Sequence, residues 1–85
     1  MPDNLPAITG KQLIVLLKKD GWKKQRRTRH GVALSKEIED RNLVTVVPDT
    51  KTSLPDGTLG AILSVKQTRI GKRGLRELIR KYGLV

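Results

Sequence analysis

The chain has 85 residues, with 18 Lys and Arg against 8 Asp and Glu, for a formal net charge of +10. That length supports one small domain with a single core, and the charge selects polyanions as partners, nucleic acid ahead of an anionic membrane surface. Zero cysteines and one histidine exclude disulfides, thiolate metal sites and histidine-rich zinc sites.

Met1 to Ala7 carries two prolines and no periodicity, and predicts a loose arm. Thr9 then offers a helix N-cap, and Gln12 three residues on completes a capping box. Ile8 and Leu13 stand at staple spacing around that cap. Leu13, Leu16 and Leu17 recur at i, i+3, i+4 as one apolar stripe, which Ile14 and Val15 widen. Asp20-Gly21 ends the helix, the glycine supplying a left-handed cap.

Three strands are expected next. WKKQRR, from Trp22 to Arg27, has poor strand propensity of its own, but it follows a helix stop and precedes two better strands. Gly31 to Ser35 is the second strand. Leu43 to Val47, LVTVV, is rich in β-branched residues and gives the strongest strand signal. Lys36 to Asn42 reads as a charged turn, and Pro48 to Asp56 as a surface loop. A second helix begins at Asp56-Gly57-Thr58, with Leu59, Ile62 and Leu63 in helical register. Gln67 to Gly71 connects it to a third, Lys72 to Tyr82, where Leu75, Leu78, Ile79 and Tyr82 fall at i, i+3, i+4, i+7 and Gly83 closes the helix. The order αβββαα predicts an α+β domain over residues 1–85, an antiparallel three-stranded sheet covered by helices on one face.

No segment approaches the roughly 18 apolar residues of a membrane span, and the N-terminus does not read as a signal peptide. A cytoplasmic nucleic-acid-binding protein is expected, with no membrane partner, no metal and no small-molecule cofactor.

Residues 18–30 carry seven cations, Lys18, Lys19, Lys23, Lys24, Arg26, Arg27 and Arg29, against the single acid Asp20. Neighbouring like charges on a strand repel, so the cluster is costly without a counterion. Phosphates supply one and release condensed cations on binding. Lys23, Lys24, Arg26, Arg27 and Arg29 are accordingly the candidate RNA-binding residues. The chain's near absence of aromatics argues against stacking platforms for single strands.

His30 admits two readings. Period-two alternation back from Leu34 and Val32 puts it on their side, the helix-covered one, as a ring packed at the core edge. Its place at the start of a strand, among three arginines, instead predicts a reactive group at the open sheet edge. Imidazole exchanges protons between about pH 5 and 8, and nearby cations hold a phosphate and stabilise the charge that builds on it. Those are the parts of a metal-free ribonuclease, in which the histidine takes the proton from a 2′-OH and that oxygen attacks the adjacent phosphorus.

No other catalytic set stands out. No Gly-rich loop ends in Lys-Ser/Thr, so nucleotide hydrolysis is unsupported. Asp49 and Asp56 read as turn formers, and Glu37, Glu39 and Asp40 as a solvated cluster. Thr28 and Ser35 lack the base and orienter of a hydrolase nucleophile.

From Ile8 to about Gly83 the chain resembles the HicA (YcfA-like) toxins of toxin–antitoxin modules. ITGKQLIVLLKKDGW is similar to that family's opening helix and Gly-Trp, RRTRHGV to its histidine segment, VTVVPD to its third strand, and LPDGTLGAIL to its Gly-Thr-Leu helix start. KQTRIGKRGLRELIRKYG resembles an extension found in one branch, and its helix, within residues 72–83, is additional to the short members. The resemblance implies a double-stranded-RNA-binding-domain-like αβββα fold, an mRNA endoribonuclease that halts translation, and a HicB-like antitoxin that covers the active site. It implies that His30 is catalytic. Short members show Gly-Ser-His where this chain has Thr28-Arg29-His30, so Arg29 replaces a small polar residue, and a supporting hydroxyl would come from Thr28. The alternative is a non-catalytic RNA- or DNA-binding module that uses the same strand for phosphates alone.

Overall fold

Thr9 caps α1 (Gly10–Lys19) in the computed structural model, which describes residues 7–84. The Gln12 amide donates to the Thr9 hydroxyl at 3.0 Å, and the Thr9 amide donates to the Gln12 side chain at 3.0 Å. The capping box expected from the sequence is thus formed, and it satisfies amides that a first helical turn leaves without partners. Ile8, Leu13, Leu16 and Leu17 are all buried, while Val15 is 39% exposed and faces away from the core instead of widening its stripe. Gly21, at φ 101, turns the chain out of the helix. Apart from the exposed Ala7, the arm expected over residues 1–7 lies outside the described residues.

β1 (Lys23–Thr28), β2 (Gly31–Ile38) and β3 (Arg41–Val47) form an antiparallel sheet in the order β1-β2-β3. The segment Lys36 to Asn42, expected as a turn, is mostly strand. Only Glu39-Asp40 turns, with φ values of 49 and 66. Positive φ at both residues is the type I′ geometry that matches strand twist, and it lets the ladder run on through charged residues whose side chains face water. Val32 pairs with Val47 and Leu34 with Thr45, and all four are buried. Val32, Leu34 and Val47 join the helical leucines in one hydrophobic cluster. Thr45 is also buried on this side, and its hydroxyl donates to the Gln67 side chain at 2.6 Å.

α2 (Asp56–Leu63) and α3 (Gly71–Tyr82) complete the α+β arrangement. Leu59, Ile62, Leu63, Leu75 and Leu78 are buried, with Ile79 and Tyr82 packed against them. Gly83, at φ 76, ends α3 as expected. No helix among the described residues is long and apolar enough to cross a membrane.

The segment after β3 does more than connect. The Lys11 amide donates to the Thr50 carbonyl at 3.0 Å, the Leu54 amide to the Ile8 carbonyl at 2.8 Å, and Thr9 bridges to Ser53. A β-carbon on Gly10 would overlap the Pro48 carbonyl oxygen. The loop is therefore laid directly on the start of α1, at a point where only glycine fits.

Candidate nucleic-acid interface

β1 ends at Thr28 and β2 begins at Gly31, so the β1–β2 turn consists of Arg29 and His30. The His30 amide donates to the Thr28 hydroxyl at 3.1 Å, and that hydroxyl donates to the Gly31 carbonyl at 3.1 Å. Thr28 thus spends its hydroxyl on holding the turn. Gly31 has φ 141, and a β-carbon there would overlap the Val47 carbonyl oxygen. The turn is pressed against the end of β3 by a contact that excludes any larger residue.

His30 is exposed. The expectation of a ring packed at the core edge is corrected, because alternation holds only within a strand and β2 starts one residue later. The imidazole stands in an open depression of about 310 Å³ lined by Arg27, Thr28, Arg29, Gly31, Pro48, Asp49 and Thr50. The side chain best suited to proton exchange therefore shares a hollow with two arginines.

Asp49 organises the floor of that hollow. Its carboxylate accepts from Lys11 at 3.0 Å and is ion-paired with Arg27, and its side chain is only 12% exposed. The Lys11 hydrogen bond, reinforced by Arg27, holds the carboxyl below its ordinary range against the opposing pull of desolvation. Asp49 was expected as a turn former. It does sit in a turn, where the Thr50 amide donates to the Pro48 carbonyl at 3.0 Å, and its carboxylate also joins three elements, the start of α1, the edge strand and the loop after β3.

A shift in register between Lys24 and Arg26 places a bulge at Gln25. Lys24 lies opposite Leu34 and Arg27 opposite Val32, on the side of the sheet that faces α1. Lys23 lies opposite Ser35 and Arg26 opposite Ala33, on the other side, where Gln25 donates to the Ser35 hydroxyl at 2.5 Å. The basic run is thus divided between two faces. Arg29 joins His30 in the turn. Lys24 and Arg27 line a groove of about 260 Å³ between β1 and α1, together with Lys11, Ile14, Val15, Lys18, Val32 and Asp49.

Lys18 belongs to the basic run expected to meet phosphates, and Lys11 joins it in the groove. Their seven-residue spacing on α1 was the available signal, since it returns to one helix face. A further set of exposed cations, Lys72, Arg73, Arg76, Arg80 and Lys81, lies on α3. Among the described residues no group of three or more His, Asp or Glu side chains is placed to hold a metal ion.

Chemically, the hollow brings together an imidazole, two guanidinium groups and a carboxylate ion-paired with one of them. Neither a protein-family model, nor a curated protein, nor a solved structure matches the chain.

Proposed function

We propose that this chain is an endoribonuclease of the HicA kind, the toxin of a toxin–antitoxin module, acting on mRNA without a metal ion. The observation that carries the reading is His30, exposed on a braced turn, in one hollow with Arg27 and Arg29. In the proposed reaction the His30 imidazole takes the proton from a ribose 2′-OH. The freed oxygen bonds to the adjacent phosphorus, and the bond from phosphorus to the 5′-oxygen breaks. Arg27 and Arg29 stabilise the charge that gathers on the phosphoryl oxygens. The departing 5′-oxygen takes a proton from solvent at this open site, leaving a 2′,3′-cyclic phosphate, and His30 returns its proton to water.

Two further observations support the reading. The αβββ order with a following helix is compatible with the double-stranded-RNA-binding-domain-like fold that the resemblance implies. The +10 charge suits an acidic antitoxin of the HicB type that covers the His30 turn.

Incubating RNA with the purified chain in EDTA tests the proposal. Cleavage to 2′,3′-cyclic ends is the expected outcome. Tight RNA binding with no cleavage would instead identify a non-catalytic RNA- or DNA-binding module.

A further inference from the structure

The groove between α1 and β1 adjoins the His30 hollow, and Arg27 and Asp49 line both. Its floor is aliphatic, formed by Ile14, Val15 and Val32, and its rim carries Lys11, Lys18, Lys24 and Arg27 against one acid. We infer that this groove is a nucleotide subsite, which takes the base and ribose next to the scissile phosphate and holds the neighbouring phosphate on its rim.

The composition of the groove narrows the choice of ligand. A site for inorganic phosphate needs no apolar floor, and a site for an apolar ligand needs no ring of cations. A nucleotide has both a flat body that gains from leaving water and a charged group that seeks lysine and arginine. Size narrows it further. At about 260 Å³ the groove is smaller than the roughly 300–1,000 Å³ of ordinary small-molecule sites, so it fits one nucleotide unit and not a larger cofactor.

The lining also sets the character of the recognition. No aromatic side chain lines the groove. The base therefore packs on branched aliphatic groups, which discriminate weakly among bases. Asp49 holds Lys11 and Arg27 in place before any ligand arrives, so part of the ordering cost of binding is already met.

The subsite rests on the reading of the chain as an RNA-cleaving enzyme, and its test does not depend on cleavage. The full-length His30→Ala protein, with its isoleucine and valine methyls labelled, is titrated by NMR with cytidine 3′-monophosphate and, separately, with inorganic phosphate. The nucleotide is expected to shift the Val15 and Val32 methyls and to bind about tenfold more tightly than phosphate. Val15→Asp, at a position 39% exposed, should lose most of that difference and unfold at the same temperature.

Silent methyls under nucleotide, alongside RNA cleavage by the unsubstituted protein, would overturn the subsite and leave the catalytic proposal standing. Responding methyls in a protein that never cleaves RNA would keep the subsite and remove the catalysis. Equal affinity for phosphate and nucleotide would reduce the groove to an anion site. Methyls that answer to polyglutamate and not to nucleotide would assign it to an acidic protein partner. Either of those last two results overturns the inference.

Discussion

Asp49 and Arg27 form an ion pair between residues 22 positions apart in the chain, and Lys11 reaches the same carboxylate from 38 positions away. A carboxyl that binds protons less readily when folded adds stability above its unfolded-state value and loses it as pH falls through the lower, folded one. The contribution of Asp49 is therefore complete above its ordinary value of 3.8 and is lost progressively as pH falls from there through the lower, folded value. Asp49→Asn should melt at a lower temperature than the parent at pH 6, with the gap closing as pH drops beneath 3.8. Melting curves on both proteins across that range check this, and a constant gap would mean that the ion pairs add nothing to stability.

His30→Ala should reduce RNA cleavage by about 10² to 10⁴, the usual loss on removing a general base. Because the ring is exposed, stability should stay within about 0.5 kcal/mol of the parent. Cleavage and thermal unfolding measured on one preparation separate this from a structural role, in which both would fall together.

The division of the basic run between two faces predicts unequal effects. Replacing Lys24 and Arg27 by Gln should flatten the plot of log affinity against log salt by roughly 0.7 to 0.9 per lost phosphate contact, and should also slow cleavage. Replacing Lys23 and Arg26 should flatten the same plot but leave cleavage at saturating RNA nearly unchanged. An unaltered slope in both variants would move the binding surface to the exposed cations of α3.

Glu39 and Asp40 occupy a turn that favours Asn-Gly, since each has positive φ. The double change Glu39→Asn, Asp40→Gly should stabilise the fold by about 1 kcal/mol, raising the melting temperature by roughly 4–8 °C. At about 3.4 Å per residue, the length of β2 separates this turn from His30, so cleavage should not change. A lower melting temperature would show that the present pair makes contacts the turn depends on.

The first helix was legible because its signals are local. Thr9, Gln12 and the leucine spacing all act within two turns, and they produced the expected cap and buried stripe. LVTVV was legible for the same reason, since β-branched residues suit a pleated, half-buried surface. Asp49 was not, because its partners are brought together only by the finished fold. The charged second hairpin was misjudged as a long turn, because charge says which side of a strand meets water but not where the strand stops. Of the two readings of His30, the packed ring at the core edge fails for a related reason, as one residue decides whether a position obeys alternation or lies in the bend. The histidine, its arginines and Lys18 stand out in the sequence, while Lys11 and the groove it borders with Lys18 emerge only with the packing of α1 against the edge strand.

Among the described residues β1 has no neighbouring strand on one side, and an unpartnered strand edge invites a second copy to zip onto it. Its sequence, KKQRRT, with a bulge at Gln25, opposes that event by repulsion between like charges and by a broken ladder. The same cations thus oppose edge-to-edge association of copies, and a polyanion laid along them would remove the repulsion. If the chain binds RNA as proposed, association between copies and nucleic-acid load would be linked through one strand. On the proposed reading, the dispersed state would belong to the unloaded chain, and crowding along a shared RNA would be the condition under which its copies can meet edge to edge.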